Sequence, residues 1–201
     1  GIYLLGSLGQ GAIPETAINL PYVDGFTLRT TWADVEPAEG VYDFGIIEGA
    51  LEDLADAEDK KLTLELFARN VPEYILTRPD ALTYTLSASG GSGGGEPTTT
   101  VLPWDSYALE RYELLIKELS SHQVYDVTSE QMVAFRDHPA LAQIDAQVVG
   151  LGGIRDVPGD LVSAQGYDRQ LFIQAALDSV DVTVECFPEQ FAFIAFFQMF
   201  D

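Results

Sequence analysis

Gly25-Phe26-Thr27-Leu28-Arg29-Thr30-Thr31-Trp32-Ala33-Asp34-Val35-Glu36-Pro37-Ala38-Glu39-Gly40-Val41-Tyr42-Asp43-Phe44 decides the fold. Its first part, about Gly25 to Trp32, is apolar and β-branched and reads as a strand. Glu36-Pro37-Ala38-Glu39-Gly40 reads as a turn, with Gly40 permitting the tight geometry. Tyr42 and Phe44 can pack that loop onto the helix that follows, and Glu36 reads as a brace beneath the loop rather than a catalyst. The helix is expected from about Phe44 to Glu58, because Ile47, Leu51, Leu54 and Ala55 share one face at helical spacing.

Downstream the same alternation continues. A second strand is expected over Leu62 to Ala68, a helix over about Asp105 to Ser121 with the stripe Ala108, Tyr112, Leu115 and Leu119, and a strand over Ala142 to Val149. The loop Gly150 to Asp160, a helix from about Tyr167 to Val180 and a last apolar strand, Phe191 to Met199, complete the series. Strands alternating with helices predict a parallel sheet. Ser87 to Thr100 is a Gly/Ser-rich insertion that cannot pack a core. Its flanks, Leu82 to Leu86 and Thr98 to Leu102, can pair as a hairpin. Val124 to Phe135 reads as an inserted, partly helical connection.

Composition narrows the function classes. The 201 residues are 47% hydrophobic and 11% aromatic, a globular mixture, and contain no apolar run long enough to span a membrane. Ten basic against 32 acidic residues give a net charge of −22. Nucleic acid and anionic membrane surfaces need basic protein surface, so neither is an expected partner. Neutral sugars suit such a surface better than phosphorylated ligands. One cysteine, Cys186, excludes an intrachain disulfide and reads as a buried, inert thiol. It and the two histidines are too scattered for a metal site, and no cofactor is expected. The Gly repeats lack the strand-turn-helix setting of a nucleotide loop. His138, between Asp137 and Pro139, reads as a helix-terminating loop residue.

The opening segment resembles the first barrel strand and loop of glycoside hydrolases of the large retaining clan that includes β-galactosidases and cellulases. There a Trp is followed by Glu-Pro-x-x-Gly-x-Tyr-Asp-Phe, here Trp32 and Glu36 to Phe44. Lys60-Lys61-Leu62-Thr63-Leu64, Val71-Pro72-Glu73-Tyr74, Val101-Leu102-Pro103-Trp104-Asp105 and Arg136-Asp137-His138-Pro139-Ala140-Leu141 are similar to later steps of the same pattern, in order. The resemblance covers about Asp24 to Asp160. It implies a TIM-type (β/α) barrel, one partial domain over 1–201, reaching about the fifth strand, with oligosaccharide or polysaccharide as the partner.

That family carries its acid/base after the fourth strand and its nucleophile after the seventh. The expected Asn-Glu pair is absent after the fourth strand here. Asp156 is the nearest carboxylate in register and the candidate acid/base. Arg155 beside it would favour the ionised form, so a loop brace or a hydroxyl contact stays open as its role. No nucleophile can be assigned. Arg29, Trp32, Arg69, Trp104 and Asp201 are the candidate sugar-binding rim. Arg29 lies inside an apolar strand and needs either a ligand or a structural ion pair with Glu65 or Asp145; Trp104 can equally be core. A non-catalytic carbohydrate-binding or degenerate barrel remains the alternative to a hydrolase. The start at Gly1, without Met or a basic-then-apolar leader, fits either a removed signal segment or a cut chain; the stop at Asp201 on an apolar edge strand suggests a piece of a longer protein, and a secreted or periplasmic setting is favoured.

Overall fold

The expected strand at Gly25 to Trp32 is β2 in the computed structural model, which describes residues 1–55, 57, 59–87, 97–151 and 159–194. In chain order the strands are β1 (Tyr3–Leu5), β2 (Gly25–Thr31), β3 (Lys61–Phe67), β4 (Thr83–Leu86), β5 (Thr98–Val101), β6 (Gln123–Asp126), β7 (Gln131–Ala134), β8 (Leu141–Asp145) and β9 (Phe191–Phe193). β1, β2, β3, β8 and β9 form one five-stranded sheet in that spatial order, and every pairing in it is parallel. β4 with β5, and β6 with β7, are antiparallel hairpins inserted between sheet strands.

Three long helices supply the crossovers: α3 (Gly45–Leu54), α5 (Ser106–Ser121) and α7 (Arg169–Cys186). Single-turn helices α1 (Glu15–Ile18), α2 (Trp32–Val35), α4 (Glu73–Leu76) and α6 (Gly159–Val162) sit in the connections. Capping residues place the long ones. The Asp105 carboxylate accepts from Ala108 N at 2.9 Å at the start of α5, and Asp168 accepts from Gln170 N at 2.7 Å and Leu171 N at 3.1 Å at the start of α7.

The period of two along the strands sorts the sheet into two unlike faces. Phe26, Leu28, Leu62, Leu64, Leu66 and Ile144 are buried in the main core with Ile47 and Leu51 of α3, Leu115 and Ile116 of α5, and Val182 of α7. The residues between them point the other way: Thr27, Arg29 and Thr31 on β2, Thr63, Glu65 and Phe67 on β3, Gln143 and Asp145 on β8. A bulge between Leu141 and Gln143 shifts the register so that Gln143 lies opposite Thr63. One face is therefore the greasy seat of the helices, and the other carries a polar row.

The signature loop is built as a brace. Glu36 is 0% exposed. It accepts from Trp32 Nε1 at 2.8 Å and from Gly40 N at 3.1 Å, and it pairs with Arg111 of α5. Arg111 also bonds the Tyr74 and Tyr42 hydroxyls at 3.2 Å each. Gly40 has φ +69°, the left-handed conformation that closes the turn. Tyr42 stacks on Phe44 with ring centres 5.8 Å apart.

Several sequence expectations need correction. Val124 to Phe135 is not partly helical along its length: it is mainly the β6–β7 hairpin, followed by a single 3₁₀ turn at Phe135–Asp137. Val124 and Asp126 are buried while Gln123 and Tyr125 are exposed, a period of two that a short polar stretch hides. The α3 helix stops at Leu54 rather than near Glu58. The α7 helix runs six residues past Val180, because Val182, Thr183 and Cys186 still have a core to face and Pro188 is the first breaker. The fourth sheet strand ends at Asp145, and 146–149 continue as buried chain with only a single bridge residue, Val148. The first strand, β1, has no counterpart in the sequence expectations because three residues carry no readable pattern. Met199 and the rest of 195–201 lie outside the described residues.

Candidate functional site

The polar row gathers near the C-terminal ends of β2, β3 and β8, the end of a parallel sheet where ligands bind. Arg29 Nε donates to Glu65 Oε2 at 2.7 Å, which selects Glu65 over Asp145 as the ion-pair partner. The two residues are register partners on β2 and β3. The Arg29 guanidinium also lies 4.8 Å from the centre of the Phe67 ring. Both charged side chains are partly accessible, at 26% for Arg29 and 19% for Glu65. Among the described residues, only Nε of Arg29 makes a hydrogen bond, so four N–H groups of the fork are unengaged. On the next strand, Thr63 Oγ1 donates to Gln143 Oε1 at 3.2 Å.

Deeper in the row, at the end of β8, sits a second polar pair. Asp145 is 4% exposed and Gln147 2%. The Gln147 side-chain amide donates to Asp145 Oδ2. Asp145 Oδ1 and Gln147 Oε1 have no hydrogen-bond partner among the described residues. Burial pushes the Asp145 carboxyl up to about 7; the Gln147 hydrogen bond acts against this, and the Glu65 charge adds to it. Asp145 is thus a carboxyl that holds its proton up to about neutral pH.

The candidate rim residues fall in different places. Arg29 is in the row. Trp32 is 0% exposed, with its Nε1 spent on Glu36 and its ring edge-on to Tyr112 at 5.5 Å, so it offers no face to a sugar. Arg69 is an exposed residue just after β3, and its carbonyl accepts from Thr100 Oγ1 at 2.9 Å. Trp104 is half-buried beside the β4–β5 hairpin and meets Tyr167 at 5.9 Å. Asp156 and Asp201 lie outside the described residues. His138 is buried, with Nδ1 accepting from Ala140 N at 3.2 Å, a loop brace. Cys186 is buried, and burial raises its thiol pKa.

The β4–β5 hairpin is fixed at this same end. Tyr84 OH donates to Gly150 O at 2.9 Å, and Gly150 N donates to Ala68 O at 3.1 Å. Gly150 has φ +70°, and a Cβ there would stand 2.1 Å from Val101 O, so only glycine fits.

Asp145, Gln147 and Gln143 were not read as site residues from sequence. Their signal was present: Gln143-x-Asp145-x-Gln147, like Thr27-x-Arg29 and Thr63-x-Glu65, puts polar groups at every second place in an otherwise apolar strand.

A cavity of about 330 Å³ lies elsewhere, at the N-terminal end of β3 between α3 and the β6–β7 hairpin. Its lysines are committed to the main chain. Lys60 Nζ donates to the carbonyls of Leu20 and Val23, and Lys61 Nζ to that of Pro139 at 3.1 Å. Those bonds make it a gap between structural braces, and the polar row remains the better candidate. Among the described residues no group of three or more His, Cys, Asp and Glu side chains could hold a metal ion, and no helix is long and apolar enough to cross a membrane. The chain matches no protein-family model, and no curated protein is significantly similar to it.

Proposed function

We propose that this chain is part of a (β/α)-barrel protein that acts on oligosaccharide or polysaccharide, as a glycoside hydrolase of the retaining type. The observation that carries the reading is the polar row itself: Arg29, Glu65, Gln143, Asp145 and Gln147, set near the C-terminal ends of consecutive parallel strands. In a doubly wound sheet helices cover both faces and the strand order reverses. Here the order is consecutive and α3, α5 and α7 share the opposite face, which favours a barrel with the row turned inward. The brace around Glu36 gives the signature loop a structural reason, in keeping with the resemblance in that segment.

A retaining hydrolase needs two carboxyl groups about 5–5.5 Å apart, one protonated and one ionised. Among the described carboxyls, Asp145 has the property of a general acid, a proton retained up to about neutral pH. Glu65 is the carboxyl on the neighbouring strand. The second reading is a binding protein without turnover, favoured by the burial of Asp145, which holds its carboxyl back from a ligand.

The test is an assay of the chain against a panel of 4-nitrophenyl β-glycosides, together with calorimetric titration with β-linked trisaccharides of glucose, xylose, mannose and galactose. Turnover supports the hydrolase, and binding without turnover supports the second reading. Neither binding nor turnover with any of them would sink both.

A further inference from the structure

The accessible part of the polar row carries one positive and one negative charge, and they face each other. Arg29 gives its Nε to Glu65 at 2.7 Å, and the edge formed by its two terminal nitrogens is open among the described residues. That edge is the one that grips a carboxylate with two parallel hydrogen bonds. Phe67 beneath the guanidinium, at 4.8 Å, holds its plane. An isolated arginine in this setting would be a carboxylate receptor. Glu65 changes that: its own charge offsets that of Arg29 and repels a second carboxylate brought to the same edge.

A hydroxyl is treated differently. It brings no charge, it accepts from the Arg29 N–H groups, and it can donate to Glu65. Gln143, with its oxygen held by Thr63 at 3.2 Å, adds a neutral amide N–H donor one strand further on. Among the described residues the row itself holds no second cation, and the exposed Arg69 lies beyond it, two residues past the end of β3.

Resting on the carbohydrate reading above, we propose that the Arg29–Glu65 pair makes this site selective for uncharged sugars, and that Glu65 is the specificity-determining residue that excludes uronates. Asp145, which keeps its proton up to about neutral pH, leaves that balance undisturbed in the acidic range.

The experiment compares cellotriose, xylotriose, mannotriose and β-1,4-galactotriose with trigalacturonate, by calorimetry at low salt and pH 6. Three proteins are titrated: the chain itself, Glu65→Gln, and the double variant Arg29→Gln/Glu65→Gln. The unaltered chain is expected to bind at least one neutral trisaccharide at least about tenfold more tightly than trigalacturonate. Glu65→Gln is expected to gain about ten- to a hundredfold for trigalacturonate, the range of a charge-assisted hydrogen bond. The double variant, with no guanidinium in the row, is expected to lose that gain.

Neutral-sugar binding with no uronate gain in Glu65→Gln overturns the selectivity and leaves the carbohydrate reading standing. Equal affinity of the unaltered chain for neutral and uronate sugars also overturns it, without relying on any variant to fold. Failure to bind any trisaccharide removes the carbohydrate reading and this inference with it.

Discussion

Replacing Asp145 with Asn should make the protein less sensitive to pH, and the size of the effect follows from where the carboxyl sits. Asp145 is 4% exposed and has no cation within ion-pair distance among the described residues. Its Oδ1 has no hydrogen-bond partner among those residues, and Glu65 is a like charge on the next strand. Burial raises its pKa from 3.8 to about 7. In the unfolded chain the carboxyl is ionised above about pH 4, while in the folded chain it stays protonated up to about pH 7. Between those values the folded state binds more protons, so stability falls as pH rises, and the loss is complete once pH exceeds the folded pKa. At about 1.4 kcal/mol per pH unit, the interval from 3.8 to about 7 corresponds to a loss on the order of 4 kcal/mol.

Asn at the same place cannot ionise. Its extra amide N–H in a buried site costs about 1–3 kcal/mol, but by the same amount at every pH. Urea unfolding of both proteins at pH 4.5, 5.5, 6.5, 7.5 and 8.5 isolates the titrating part as a difference. The chain's charge of −22 gives both proteins a common loss of stability with rising pH, and that cancels. The variant should gain on the unaltered protein steadily from pH 4.5 to about 7 and then hold a constant lead. A difference that does not change with pH would refute the argument and mean that Asp145 is ionised in the folded protein.

Two further substitutions probe the frame that holds the site. Glu36→Gln leaves Arg111 buried without its carboxylate partner and should cost about 3–5 kcal/mol in urea unfolding; a loss below about 1 kcal/mol would mean that the brace is dispensable. Gly150→Ala puts a Cβ 2.1 Å from Val101 O at φ +70°, so the β4–β5 hairpin must move. The melting temperature should drop by an amount equivalent to about 1–3 kcal/mol, and an unchanged melt would show that the close approach is not held in solution.

The sequence made the architecture legible wherever a pattern ran long enough. Leu62 to Phe67 on one side and the α5 stripe of Ala108, Tyr112, Leu115 and Leu119 on the other declare their faces, because each buries against the other's kind. Elements too short to show a period were lost. The three residues of β1 have no signature, and β6 and β7, at four residues each, are too short to show theirs. Helix ends moved for a related reason: α7 continues to Cys186 because tertiary burial, not a local signal, decides where a helix without a breaker stops.

The site was harder to read, and Trp32 shows why. A tryptophan beside a strand end suggests a sugar platform, yet its Nε1 at 2.8 Å from Glu36 belongs to the same brace that made the motif recognisable. Residues committed to holding a loop in place are poor guides to a binding surface. The more informative positions were the polar ones spaced by two in the strands, which an apolar sheet tolerates only if something meets them. Arg29 is met by Glu65, but half of the Asp145–Gln147 pair is met by nothing among the described residues. Two buried oxygens with no partner among the described residues cost stability that a purely structural strand would have avoided with leucine, so the place to look for this protein's chemistry is the end of β8 and not the conspicuous tryptophan.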